Sequence, residues 1–113
     1  MIEQDIVEAN IQELRRGTVV LACLVVLRTP DYGYALLERL ASIGFPVDAN
    51  TLYPLLRRLE KQGLLHSEWE TSGAKPRKYY ELNGIGIEVY RRLCSEWDDM
   101  EETIDNLTGK GSK

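Results

Sequence analysis

The sequence is poor in residues that build catalytic or metal sites. It has one histidine, His66, and two cysteines, Cys23 and Cys94, among 113 residues. Both cysteines lie in apolar stretches without a second ligand beside them, which favours buried free thiols over a disulfide or a metal site. No nucleophile or carboxylate pair is placed to work with His66. We therefore expect no enzymatic activity, no metal and no cofactor.

Long apolar runs are also missing. The longest, residues 19–27, is far shorter than the ~20 residues that a membrane-spanning helix needs. The chain starts with acidic residues, whereas a signal peptide has a basic segment followed by an apolar one. We expect a cytoplasmic protein with one domain, small enough for oligomerisation to add a sizeable share of its buried surface.

Positive charge is scarce overall but locally concentrated. The formal net charge of −4 argues against a uniformly basic nucleic-acid binder. Between positions 51 and 80, however, six basic residues stand against three acidic ones, a local charge of +3, and the other positions carry −7. This distribution predicts one basic binding surface on an otherwise acidic protein.

The segment 48–63 carries the signals of a complete amphipathic helix. Asp48 can cap its first turn, and Gly63 stands where a left-handed residue ends a helix. Pro54 predicts a tight or slightly bent start. Leucines at three- and four-residue steps predict a buried stripe of Leu52, Leu55, Leu56 and Leu59. The other face is polar, aromatic and basic, and we predict that it reads DNA through Thr51, Tyr53, Arg57, Arg58 and Lys61.

Helical segments are predicted before this one. Residues 2–14 have helical spacing, Gly17 interrupts, and residues 18–27 favour a buried helix, with a strand as the alternative because valine is frequent. A helix follows over 32–43, whose predicted inward residues are Tyr34, Leu36, Leu37, Leu40 and Ile43. The short glycine-containing turn between this helix and segment 48–63 predicts a helix-turn-helix.

Two short strands, 65–70 and 78–82, are predicted after the basic helix. The loop between them contains Gly73 and Pro76, which indicates a hairpin. We predict that this hairpin is a wing that contacts DNA phosphates through Lys75, Arg77, Lys78 and Tyr80. A charged loop that only maintains solubility is the alternative.

A final long helix is predicted from a cap at Asn83 to residue 106 or 107. Its apolar residues step by three and four, close to a coiled-coil seam: Ile85, Val89, Leu93, Trp97, Met100, Ile104 and Leu107. Little of the chain remains to cover this seam, so we predict a homodimer. The predicted organisation is a DNA-binding domain over 1–82, a dimerisation helix over 83–108 and a disordered tail over 109–113.

The combined motifs resemble the PadR family of bacterial transcription regulators. They are Tyr32-Gly33-Tyr34, the run TLYPLLRRLEKQGLL at 51–65, Ser67-Glu68-Trp69 and the run PRKYYEL at 76–82. The resemblance implies a mainly α (α+β) winged helix-turn-helix fold and a homodimer that usually represses a neighbouring promoter. By position, it implies that Thr51, Tyr53, Arg57 and Arg58 are reading-helix residues. The wing residues that it implies are those predicted above: Lys75, Arg77, Lys78 and Tyr80. The sequence departs from the family pattern at Asn50, where glycine is common, and at Asn83-Gly84.

The short chain with one last helix resembles the small PadR subgroup that includes multidrug-responsive repressors. In that subgroup a tryptophan at the position of Trp97 lines a cavity at the dimer centre and stacks flat aromatic compounds. We predict a ligand site of Trp97, Leu93 and Met100; the alternative is that Trp97 is a core residue. Nearby acids would favour cationic compounds: Glu96, Asp98, Asp99 and Glu101.

The predicted function is that of a homodimeric repressor that binds double-stranded DNA and whose affinity is lowered by a flat aromatic ligand. Two copies of segment 48–63 would enter successive major grooves, about 34 Å apart, on a palindromic operator. The alternatives are a winged-helix protein-interaction module without DNA binding, and a PadR-like repressor without a ligand. The local charge of +3 argues against the protein-interaction module, which would not need it.

Overall fold

Four α-helices and a small β-sheet make up residues 3–110, the part of the chain that this computed structural model describes. Their order is α1 (Gln4–Val26), β1 (Asp31–Tyr32), α2 (Gly33–Ser42), α3 (Ala49–Lys61), β2 (Leu65–Glu70), β3 (Arg77–Leu82) and α4 (Gly84–Thr108). The strands form an antiparallel sheet in the order β1-β3-β2. Helices α2 and α3, followed by the β2–β3 hairpin, form a winged helix-turn-helix. The predicted fold class is confirmed.

Helix α1 runs without a break through Gly17, where the sequence predicted an interruption. A glycine inside a helix costs about 1 kcal/mol relative to alanine. The second half of α1 buries Val19, Cys23, Leu24 and Val26, and this burial outweighs the cost at one exposed glycine. The predicted break is therefore wrong, and so is the strand alternative for residues 18–27. Ile2 and the tail residues 111–113 lie outside the described part of the chain.

Strand β1 was not predicted from the sequence. It has two residues, Asp31 and Tyr32, which pair with Tyr80 and Tyr79 of β3. So short a strand has no alternation that a sequence pattern can reveal. It moves the start of α2 to Gly33. Tyr34, in the first turn of α2, is 61% exposed. Ile43, at the end of α2, is also exposed, so the predicted inward positions of these two residues are wrong.

The core is built mainly from leucines on α1, α2 and α3. All four leucines of the predicted α3 stripe are buried, as are Leu36 and Leu40 of α2. Each fully buried leucine contributes about 1.5–3 kcal/mol relative to an exposed one. Cys23 lies in this core, and its burial raises the pKa of the thiol to about 12. Cys23 and Cys94 are both free thiols; Cys23 is buried as predicted, whereas Cys94 is only half-buried.

A hydrogen-bonded joint connects the end of α3 to the start of α4. The Asn83 Oδ1 atom accepts a hydrogen bond from the Gly86 N–H at 2.8 Å and caps α4, as predicted. The Asn83 Nδ2 atom donates to the Gly63 carbonyl at 2.8 Å, and the Asn83 N–H donates to the Leu64 carbonyl at 3.1 Å. Gly86 lies so close that a Cβ atom there would be 2.1 Å from the Leu64 oxygen.

Replacing Gly86 by alanine is expected to destabilise the protein by about 1–3 kcal/mol, because the added methyl group overlaps a backbone carbonyl. Urea denaturation monitored by circular dichroism measures the change. Gly84→Ala is the matched control, since a Cβ at Gly84 meets no atom within 4 Å. Equal stability of the two variants would contradict the close contact at Gly86.

Candidate functional site

The outer face of α3 carries a continuous set of polar and basic side chains. Those of Thr51, Arg57, Arg58 and Lys61 are exposed, and Tyr53 is 37% exposed. The helix has the predicted ends: Asp48 Oδ1 accepts a hydrogen bond from the Thr51 N–H at 2.8 Å, and Gly63 has a φ of +82°. Because the leucine stripe fixes the opposite face, these five side chains have a defined direction.

Gly33 supports the aromatic member of this set, Tyr53. A Cβ atom at position 33 would lie 2.3 Å from the Tyr53 Cε1 atom, so the ring occupies space that any other residue would fill. Gly33 was not among the predicted site residues. Gly33 belongs to the Tyr32-Gly33-Tyr34 motif, which contributed to the resemblance to the PadR family but indicated no role for the glycine itself.

The wing divides its predicted residues between two faces. Lys75 lies exposed in the β2–β3 loop, and Arg77 is exposed at the start of β3. The Arg77 guanidinium stacks over the Tyr32 ring, with its carbon 4.7 Å from the ring centroid. Tyr32 in turn contacts Tyr79 edge-on, with centroids 5.2 Å apart. The unpredicted strand β1 thus supplies the ring that orients Arg77.

Lys78 and Tyr80 face the other way, towards α3, because successive strand residues point to opposite sides. Lys78 Nζ lies 3.0 Å from Glu60 Oε1 on α3 and 5.3 Å from the Tyr80 ring centroid. Tyr80 is 9% exposed and belongs to the core. These two predicted wing residues therefore lie on the opposite side of β3 from Arg77, where Tyr80 is buried and the Lys78 side chain is 30% exposed.

Glu60 also accepts a hydrogen bond from the Ser67 hydroxyl on β2. This bond, followed by the one from Lys78, lowers the pKa of Glu60, and the bond to Glu60 raises the pKa of Lys78. Glu60 is therefore a carboxylate at neutral pH, and Lys78 is its cationic partner. Sequence reasoning did not single out Glu60 or Ser67, because their meeting depends on how the hairpin packs on α3.

A second region of interest is an apolar groove of about 500 Å³ between α1 and α4. Its lining includes Leu14, Gly17, Thr18 and Leu21 from α1, and Leu93, Trp97, Met100 and Ile104 from α4. Thus the structure brings together the three predicted ligand residues, and Trp97 is 42% exposed there. Two of the predicted acidic neighbours, Glu96 and Glu101, line the groove together with Asp105. The contribution of α1 was not predicted.

The single histidine, His66, is exposed. The His66 Nε2 atom lies on the surface, 2.8 Å from Glu68 Oε1. Between residues 3 and 110, no group of three or more histidine, cysteine, aspartate or glutamate side chains is placed to hold a metal ion. Over the same residues, none of the helices combines the length and apolarity needed to cross a membrane.

The helix-turn-helix, its basic outer face and the adjoining hairpin define a winged-helix protein. The pattern of the transcriptional regulator PadR-like family matches residues 20–92, well over half of the chain. The chain belongs to this family of transcriptional regulators, as the sequence motifs predicted.

Solved structures agree with this assignment. A PadR family transcriptional regulator from Eggerthella lenta DSM 2243 is 50% identical, with a TM-score of 0.89 over 93% of this chain and 94% of that one. A PadR-like transcription factor from Bacteroides fragilis is 32% identical, with a TM-score of 0.73 over 88% and 98% of the two chains. A PadR-like transcriptional regulator from Bacillus cereus strain ATCC 14579 is 28% identical, with a TM-score of 0.76 over 85% and 96%. Among curated proteins, none matches this chain.

Proposed function

We propose that this regulator is a homodimeric, sequence-specific repressor that acts in the cytoplasm and binds a palindromic operator through α3. The outer face of α3 is the observation that carries the proposal. Arginine can bind phosphates or the edge of guanine, and Thr51 and Tyr53 add hydrogen-bonding groups beside Arg57 and Arg58. A helix whose inner face is fixed by buried leucines presents such groups without first having to fold.

The wing extends the basic surface beyond α3. Lys75 and Arg77 are exposed and suited to phosphates beside the groove that receives the helix. Stacking on Tyr32 holds the Arg77 guanidinium, so less conformational freedom is lost when it binds. In this proposal the wing sets the register of the protein on DNA, and α3 reads the bases.

The exposed apolar face of α4 supports the homodimer. Within the described residues, Trp97, Met100, Ile104 and Leu107 all remain more than 40% exposed on one helix. A contiguous apolar face of this kind marks an interaction surface. A second copy is its proposed occupant, because the three- and four-residue steps are those of helices that pack along a seam. The dimer would set the two α3 helices about one DNA turn, ~34 Å, apart.

The groove at Trp97 is proposed to hold a flat aromatic effector. An indole that is half exposed beside apolar side chains offers a stacking surface, and the acidic residues lining the groove favour a cationic ligand. The twofold axis of the proposed dimer would bring two such grooves near each other. The ligand lowers operator affinity only if it binds more tightly to a dimer whose α3 helices have a spacing other than the one that fits DNA.

The joint at Asn83 and Gly86 gives such a ligand a route to the DNA surface. It ties the first turn of α4 to Gly63 and Leu64, the residues that directly follow α3, through two hydrogen bonds and one close backbone contact. A rotation of α4 at the groove therefore carries the end of α3 with it, since close-packed elements transmit displacement.

Replacing Arg57 and Arg58 together by alanine is expected to weaken operator binding by about tenfold or more, because each substitution removes a charged group that contacts DNA. The probe is a duplex that the wild-type protein selects from a random-sequence pool, and fluorescence anisotropy over a salt series measures affinity. The salt slope should fall by about 1 for each phosphate that the variant no longer neutralises.

The control for this experiment is Arg91→Ala with Arg92→Ala, a second exposed arginine pair that lies on α4. Equal losses of affinity in both double variants would show a general charge effect rather than a reading role for α3. If the wild-type protein selects no duplex, the proposed DNA binding fails, and a protein-interaction module becomes the better account.

Replacing Ile104 by aspartate is expected to convert the dimer to monomer, because it places an unpaired charge in the proposed apolar interface. Sedimentation velocity measures the molecular mass. Thr103→Asp introduces the same charge at the neighbouring, exposed position and should leave the dimer intact. A dimeric Ile104→Asp variant, or a monomeric wild type, would contradict an interface on α4.

Flat aromatic compounds are expected to quench the fluorescence of Trp97. Trp97→Ala should weaken the binding of ethidium, measured by the fluorescence anisotropy of the dye itself, because the stacking surface is removed. The Trp69→Phe variant leaves Trp97 as the sole tryptophan and isolates its signal. Ethidium and neutral phenanthridine share a ring system, so tighter binding of ethidium supports the role of the acidic residues. Absence of saturable quenching in a dimeric wild type would leave Trp97 as a packing residue.

A further inference from the structure

The proposed DNA-reading helix α3 carries one acidic residue, Glu60. Glu60 lies in the last turns of α3, between the basic residues Arg57, Arg58 and Lys61. Negative charge near a DNA-binding surface lowers affinity for the polyanion. In the proposed complex Glu60 would therefore oppose binding, unless its contacts provide something that binding needs.

The contacts of Glu60 join three elements at one side chain. One carboxylate oxygen lies 3.0 Å from Lys78 Nζ on β3, and the other accepts a hydrogen bond from the Ser67 hydroxyl on β2. Ser67 pairs with Tyr80 across the two strands, and Lys78 pairs with Trp69, so both partners lie on the face of the hairpin that packs against α3. Glu60 thus links both wing strands to the helix.

We propose that Glu60 is a positioning residue, which holds the wing at a fixed angle to α3 through Ser67 and Lys78. This inference rests on the proposed DNA binding. It assigns Lys78 to the support of the wing and leaves Lys75 and Arg77 as the wing's phosphate contacts. Tyr80 in the core and the pairing of β3 with β1 hold the base of the hairpin, whereas its outer half is exposed.

Positioning and simple electrostatics predict opposite results when Glu60 is removed. Removal of a negative charge alone strengthens binding to any DNA sequence. Removal of the tie lets the wing move, so α3 and the wing no longer contact DNA in one fixed register. Affinity for the selected sequence then falls, and affinity for unrelated DNA rises slightly.

Two variants separate the hydrogen bonds from the charge. Glu60→Gln and Glu60→Ala both remove the negative charge. The glutamine keeps an oxygen that accepts from Lys78 and an amide that donates to Ser67 Oγ, whereas alanine keeps neither. Glu68→Ala is the charge control, because Glu68 is exposed on β2 and its hydrogen bond goes to His66 of the same strand. Ser67→Ala removes one of the two ties without changing the charge.

The experiment measures affinity for the duplex selected by the wild-type protein and for a scrambled duplex of the same composition. We expect Glu60→Ala to lower the ratio of the two affinities roughly fivefold, as for a partly exposed, charge-assisted contact. Ser67→Ala should lower this ratio in part, and Glu60→Gln and Glu68→Ala should keep most of it. Urea denaturation of each variant separates a lower ratio from a smaller amount of folded protein.

The outcomes distinguish this inference from the proposed function. Suppose that the wild-type protein prefers the selected duplex, and that Glu60→Ala and Glu60→Gln have the same ratio of affinities for the selected and scrambled duplexes. The positioning role is then wrong, and DNA binding stands. If the wild-type protein does not discriminate between the duplexes, the proposed sequence-specific binding is wrong. Should Glu60→Ala fail to fold, Ser67→Ala decides: an unchanged ratio overturns the inference, and a reduced ratio supports it.

Discussion

The buried leucine stripe of α3 is the constraint on which the rest of the structure depends. It fixes the rotation of α3 about its own axis, because turning the helix would expose Leu52, Leu56 or Leu59 to water. That rotation decides which residues form the outer face. It also places Glu60 next to the hairpin and brings the end of α3 to the start of α4, where Asn83 and Gly86 complete the joint.

The charge distribution follows the same geometry. The whole chain is acidic, yet the helix and wing segment carries a net positive charge. Within that segment the fold sorts the basic residues further, since Arg77 reaches solvent over Tyr32 and Lys78 is neutralised by Glu60. Counting charges along the sequence therefore overstates how many basic side chains are free to contact another molecule.

Much of the architecture could be predicted from local pattern. The caps at Asp48 and Asn83, the leucine spacing of α3 and the hairpin signals are short-range features, and each was found where predicted. The errors have physical causes of a different kind. Packing overrode the propensity of Gly17, and the pairing of Asp31 and Tyr32 with β3 depends on residues almost fifty positions away. No window of sequence contains that information.

The candidate sites show the same division. The sequence by itself determined which residues of α3 face outwards, because a helix with one apolar stripe has one polar face. It also determined that Trp97 lies on an apolar row of the last helix. Only the tertiary structure decided that Lys78 pairs with Glu60 and Tyr80 is buried, that Gly33 makes room for Tyr53, and that α1 completes the groove at Trp97. The physical reason is that periodicity fixes the direction of a side chain within its own element, whereas its partners depend on how the elements pack.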